Sequence, residues 1–226
     1  MKRFAVYYAP RQGEFASRTA AWLGWDPEAG REVAQPDLPG LPRPAVELTR
    51  DPRKYGFHGT IRAPFRLGEG VSPDDAVAAV EALAVRLAPV TCEGLRMVDL
   101  HGFLALLPEA CDDALQALAA AVVEGTNPLR APLTQEEIAR RKPEQLSPRQ
   151  RELLDRWGYP FIMEEFQFHL TLTDKLSEDQ RAPVMAALRD HLSPVLPRPF
   201  VIEDLCLFGE DTGGRFHLLH RAALSG

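Results

Sequence analysis

The chain has 226 residues, 45% of them apolar and 26% charged, which is the composition of a folded globular protein with room for one sizeable core. A formal net charge of −6 argues against gripping a long nucleic acid, because such partners are bound chiefly by neutralising phosphates on a basic face. No apolar run approaches the roughly 20 residues that span a bilayer, and Cys92, Cys111 and Cys206, odd in number and without C-x-x-C spacing, read as buried thiols of a reducing compartment. The apolar stretch after Met1-Lys2-Arg3 is too short for a signal peptide, so a cytoplasmic location is expected.

In chain order, Phe4–Ala9 reads as a strand buried on both faces and Glu14–Leu23 as a short helix. Trp25–Pro52 is dense in Pro and Gly and predicts an irregular connection. Tyr55–Pro64 reads as a strand. Asp74–Leu87 reads as a helix with Ser72 as N-cap and Pro73 at its first position. Leu95–Leu100 and Phe103–Leu107 form a predicted hairpin across His101-Gly102. A helix over Asp112–Val123 leads into a long connection, Gly125–Glu164, helical around Gln135–Arg141 and Pro148–Trp157. A strand at Glu165–Thr173, a helix at Glu178–Leu192 behind Ser177, and strands at Phe200–Phe208 and Arg215–Leu219 complete the series. The basic run Ala139-Arg140-Arg141-Lys142 lies in a segment also rich in Glu and reads as a solvated helix face.

Two F-H-x-T segments, Phe57–Thr60 and Phe168–Thr171, occupy matching places in this series, with the same interval separating Phe57 from Phe168, His58 from His169 and Thr60 from Thr171. The matched order of elements predicts a duplicated α+β fold: two pseudo-symmetric β-α-β-α-β lobes with antiparallel sheets around a central cleft. Residues 1–226 are then one bilobal domain, with lobe one over roughly 1–100 and lobe two over roughly 101–226. The connections 25–54 and 125–164 become candidate lids.

Strand alternation puts His58 with Thr60, and His169 with Thr171, on one face, while Phe57, Gly59, Ile61, Phe168, Leu170 and Leu172 point into apolar layers. Two imidazoles and two hydroxyls in one cleft suit hydrolysis of a strained phosphodiester. One neutral His takes a proton from water, the other donates to the leaving oxygen, and the threonines donate to the non-bridging oxygens. His101, His191, His217 and His220 show no metal-ligand spacing, so neither metal nor cofactor is expected.

The segments His58-Gly59-Thr60-Ile61 and His169-Leu170-Thr171-Leu172 resemble the paired H-x-T-x signatures of the 2H phosphoesterase superfamily. Tyr55–Phe65 and Trp157–Thr173 resemble, more narrowly, the DUF1045 branch linked to bacterial phosphonate metabolism. The resemblance runs from Phe4 to about Leu219. It implies His58 and His169 as acid and base, Thr60 and Thr171 as phosphate contacts, and a metal-independent cyclic phosphodiesterase acting on a small ribose or nucleotide cyclic phosphate. Gly59 departs from the hydrophobic residue usual at that position.

Other candidates for phosphate contact are Arg62, balanced against a surface ion pair, and Tyr8, balanced against an edge or core packing role. Gln167, Thr173 and Lys54 follow by parity, and Tyr55, Trp157 and Tyr159 follow as stacking residues. The competing functions are an RNA 2′,3′-cyclic phosphodiesterase or 2′-5′ ligase-like enzyme, with Arg53, Arg62 and Arg66 as a local basic cleft, and a non-catalytic phosphate or nucleotide sensor. The expected partner is a small phosphorylated molecule, with no membrane. The substrate, the acid and base assignment and the oligomeric state stay open at this level.

Overall fold

A computed structural model describes residues 1–226. Strand β1 (Phe4–Tyr8) is buried at every position. Its alternation explains this: Phe4, Val6 and Tyr8 enter the main apolar core, whereas Ala5 and Tyr7 join Cys206, Phe208 and Phe216 on the opposite face. Helix α1 (Glu14–Leu23) follows, ended by Gly24 at φ 78°. The proline-rich connection holds the two-residue strands β2 (Trp25–Asp26) and β3 (Arg31–Glu32), the four-residue helix α2 (Ala45–Leu48) and a 3-10 turn at Pro52–Lys54.

Strand β4 (Gly59–Phe65) continues directly from His58, and helix α3 (Pro73–Ala84) starts as expected at Ser72. The Ser72 hydroxyl accepts from the Asp75 amide at 3.1 Å while the Asp75 carboxylate accepts from the Ser72 amide at 2.8 Å, a reciprocal cap. Strand β5 (Val90–Cys92), the hairpin of β6 (Leu95–Leu100) and β7 (Phe103–Pro108), and helix α4 (Asp112–Thr126) come next. The second connection carries α5 (Gln135–Arg140), capped by Thr134 with Glu137, and α6 (Pro148–Trp157), capped by Ser147 with Gln150. Strand β8 (Leu170–Thr171), helix α7 (Glu178–Leu192) and strands β9 (Phe200–Ile202), β10 (Asp204–Glu210) and β11 (Phe216–Ala223) close the chain.

Several boundaries differ from expectation: the first-motif strand, expected from Tyr55, begins at Gly59, and the helix expected to run to Leu87 ends at Ala84. The second motif forms ladder only at Leu170 and Thr171, since its partners in register are Gly59 on one side and Ala105 and Leu106 on the other. The strand expected over Phe200–Phe208 breaks at Glu203 into β9, which pairs with β5, and β10, which pairs with β1. The final strand runs on to Ala223. Ser177 precedes α7 as expected but makes no side-chain cap.

The fold is α+β. One antiparallel seven-stranded sheet has the order β11-β10-β1-β4-β8-β7-β6, and α1, α3, α4 and α7 pack their apolar residues against one face of it. β1 and β4 lie beside β10 and β11 from the far end of the chain, and β8 lies beside the β6–β7 hairpin. Each side of the β4–β8 junction therefore draws strands from both halves of the sequence, and residue 100 falls inside a hairpin.

The cysteines correct the sequence reading. Cys92 and Cys111 are joined by a disulfide, and only Cys206 is a free, buried thiol. Burial holds its pKa up, at about 11. The hairpin is the reason for the pairing: it folds the chain back so that Glu93 donates its amide to the Glu109 carbonyl, bringing the cysteines on either side together. The three cysteines are therefore not the three free thiols expected of a reducing compartment. No helix is long and apolar enough to cross a membrane.

Candidate active site

The two motifs meet where β4 pairs with β8, with Gly59 opposite Leu170 in antiparallel register. Continuing that register by one residue each way sets His58 across from Thr171 and His169 across from Thr60. In a regular antiparallel ladder opposite residues have Cβ atoms about 4.5–5.5 Å apart and diagonal ones up to about 7–8 Å. The register thus brings both motifs to one place in the sheet, each histidine level with the threonine of the other.

Both histidines are held alike. His58 Nδ1 donates to the Gly56 carbonyl at 2.9 Å, and His169 Nδ1 donates to the Gln167 carbonyl at 2.9 Å. A carbonyl only accepts, so Nδ1 carries the proton in each ring and Nε2 is left as the working nitrogen. His58 Nε2 lies 3.3 Å from Thr60 Oγ1. Its ring sits between aromatic neighbours, 4.1 Å from Tyr7 and 5.6 Å from Tyr55 between centroids. Burial in these surroundings pushes the His58 pKa down to about 4, with His169 adding to the effect, so His58 is neutral at ordinary pH.

A cavity of about 400 Å³ opens over this junction, walled by His58, Thr60 and Thr171 with Tyr7, Tyr55 and Phe103. His169 is not on that wall; its ring packs against Phe103, 5.8 Å between centroids, at the cavity's edge. Both connections contribute: Asp51 and Pro52 come from the first, and Arg141 and Tyr159 from the second. The Arg141 guanidinium lies over the Tyr159 ring at 4.7 Å. The structure contains no group of three or more His, Cys, Asp or Glu side chains placed to hold a metal ion.

Gly59 is explained here. A Cβ at this position would lie 2.2 Å from Cζ of Phe168, so the space of a first-motif side chain is filled by the phenyl ring of the second motif. Phe57, Ile61, Phe168, Leu170 and Leu172 all enter the main core as expected.

Several candidates are not where parity put them. Arg62 does not line the His58 cavity, because a register shift between Val6 and Tyr7 breaks the alternation of β4 after Thr60. It is 1% exposed and belongs instead to a neighbouring cavity with Trp157. Tyr8 is buried among Phe168 and Phe200, and its neighbour Tyr7, paired with Thr60, is the β1 aromatic at the site. Thr173 does reach the wall, yet its hydroxyl already accepts from the Leu104 amide at 2.9 Å. Gln167 lines a different cavity, and Lys54 pairs with Asp51 at 2.7 Å on the surface. Sequence reasoning missed Tyr7, Arg3 and Lys175 on the wall and set Arg141 aside as a solvated charge. For Tyr7 the available signal was its adjacency to Tyr8; only the pairing chooses between them.

A family model described as "Protein of unknown function (DUF1045)" matches residues 60–217, the branch that the motif segments resemble. A protein of Janthinobacterium sp. (strain Marseille) named ribose 1,5-bisphosphate phosphokinase PhnN is 36% identical over 220 residues, covering 95% of this chain and 49% of that protein. One of the same name from Laribacter hongkongensis (strain HLHK9) is 35% identical over 218 residues, covering 96% and 50%. The chain thus spans about half the length of the curated relatives it matches. Among solved structures, TT0787 of Thermus thermophilus superposes with a TM-score of 0.50 at 17% identity, covering 99% of this chain and 98% of that one, and shares the fold.

Proposed function

The chain belongs to the DUF1045 family, and from its paired H-x-T segments and the cavity above them we propose that it is a phosphoesterase that opens a small cyclic phosphodiester of a sugar or nucleotide. The observation that carries this reading is the pairing of Gly59 with Leu170, which sets each histidine across from the other motif's threonine. In this reading four groups serve one phosphorus: the Nε2 atoms of His58 on the cavity wall and of His169 at its edge, and the hydroxyls of Thr60 and Thr171.

In this scheme neutral His58 accepts a proton at Nε2 from the attacking water as its oxygen bonds to phosphorus. His169, protonated at Nε2, donates that proton to the ring oxygen as its P–O bond breaks, leaving a phosphomonoester and a free hydroxyl. The assignment of base to His58 rests on its burial, which lowers its pKa to about 4 and leaves Nε2 free to accept a proton at ordinary pH. Thr60 and Thr171 donate to the non-bridging oxygens, whose negative charge grows in the transition state. The reading needs no metal. The ribose 1,5-bisphosphate in the relatives' names supports a phosphorylated sugar as the substrate class.

The test is a panel of ribose and nucleoside cyclic phosphates with wild type, His58→Ala and His169→Ala, each with and without a chelator. Wild-type turnover insensitive to chelator is expected, with kcat falling by about 10²–10⁴ in each variant, the usual worth of a positioned acid or base. Turnover persisting in both variants reduces the histidines to structural residues, and turnover abolished by chelator overturns the metal-free mechanism.

A further inference from the structure

Beside the His58 cavity, along the same strand, lies a smaller one of about 130 Å³ whose wall carries six arginines, Arg3, Arg62, Arg66, Arg130, Arg140 and Arg141, and one carboxylate, Glu137. One water occupies about 10–15 Å³ on this measure, so the space admits a tetrahedral anion with its four oxygens. Its charges are largely uncompensated. Glu137 is held by Arg66, at 2.9 Å to each carboxylate oxygen, and Arg3 is engaged by Glu210 at 2.6 and 2.8 Å. Arg130 donates to Asn127 Oδ1 and the Ala131 carbonyl, neither of which bears charge.

Arg62 is the least satisfied of the six. It is 1% exposed, donates through Nη2 to the Trp157 carbonyl at 3.1 Å, and has buried Nε and Nη1 groups with no acceptor. Burying a guanidinium with open donors is costly unless a ligand supplies the acceptors. Burial and the nearby Arg130 charge push its pKa down to about 10, a strain that a bound anion relieves. The two cavities are continuous in their walls: Arg3, Ala63, Pro64, Arg141 and Tyr159 line both. At about 3.3 Å per strand residue, Thr60 in the first and Ala63 at the start of the second are at most about 10 Å apart, within the reach of a single sugar phosphate.

We propose that the arginine-lined cavity is a subsite for a second phosphate, so that the substrate carries a phosphomonoester in addition to the cyclic phosphate opened between the histidines. A phosphate dianion suits it better than a carboxylate, because several guanidinium forks without carboxylate partners can each give two donors to an anion with three terminal oxygens. The proposal rests on the phosphoesterase reading for its place in the reaction, and its experiment separates the two.

Adenosine 2′,3′-cyclic phosphate and its 5′-phosphorylated counterpart are compared as substrates of wild type, Arg62→Met and an Arg140→Gln/Arg141→Gln double variant whose sites are not buried. In wild type, kcat/KM is expected to be at least tenfold higher for the 5′-phosphorylated member, and this ratio to fall towards one in the variants. Calorimetric titration of ribose 5-phosphate runs in parallel on the same proteins and on His58→Ala/His169→Ala. Binding should weaken at least tenfold in the arginine variants and persist in the histidine variant. Equal kcat/KM for both substrates overturns the subsite and leaves the hydrolase reading standing. So does ribose 5-phosphate binding that survives the arginine changes. No turnover of either substrate, with binding that still depends on the arginines, supports the subsite and overturns the hydrolase reading.

Discussion

Gly59 looked like a defect in an otherwise regular motif, and the structure shows it as a fitted part. The ring of Phe168 takes the space a side chain would fill, so each motif completes the core of the other. Gly59→Val should therefore force Phe168 aside and lower stability by about 1–3 kcal/mol, the usual cost of overpacking a filled core. Phe168→Leu in the same chain should return part of it, and denaturant midpoints of the two single variants and the double variant measure the coupling. Strictly additive effects would mean that the two residues do not compete for one space.

At the same scale, His58 sets the response to acid. Its pKa is depressed to about 4 in the folded chain against about 6.5 unfolded. Between those values the unfolded chain holds a proton that the folded chain does not, so stability contributed by neutral His58 is complete above about pH 6.5 and is lost as pH falls towards 4. Urea midpoints of wild type should decline through that window more steeply than those of His58→Gln. The acid limb of kcat/KM should likewise fall near pH 4, and a limb near 6.5 would contradict the assignment of His58 as the base.

The hairpin of β6 and β7 does two jobs among the elements. It lies next to β8 in the sheet, giving the two-residue second-motif strand a ladder on the side away from β4. It also brings Cys92 and Cys111 together across its open end. A crosslink closing a loop of this size is worth about 3 kcal/mol through the unfolded chain's entropy. Reduction, or replacement of both cysteines by alanine, should lower unfolding stability by about that amount, read from denaturant curves with and without reductant. An unchanged midpoint would show that the crosslink does not constrain the unfolded chain. The pairing was within reach of the sequence, since the cysteines flank a hairpin that the sequence does predict; spacing and parity of number were the wrong signals to weigh. Helix α5 is a second case of an element serving the site. Its cap residue Glu137 also pairs with Arg66 of the segment after β4, fixing the long connection over the arginine cavity.

For the whole molecule, what was legible came from local chemistry. Caps at Ser72, Thr134 and Ser147, the proline-rich breaks and apolar periodicity are set by residues near one another in the chain, and the helices accordingly lie within a few residues of where they were expected. The repeated F-H-x-T segment was legible for the same reason, as was a common face for His58 and Thr60, which both line the cavity, because strand alternation is a property of the backbone. What only the tertiary structure decided depends on which strands become neighbours. The sheet order draws strands from both halves of the chain to each side of the β4–β8 junction. That junction sets each histidine against the other motif's threonine, the bulge in β4 takes Arg62 out of the His58 cavity, and the pairing of β1 with Thr60 selects Tyr7 over Tyr8. Register and bulges are fixed by contacts between segments distant in sequence, and a single chain read residue by residue carries the alternation of each strand but not the partner that gives it a meaning.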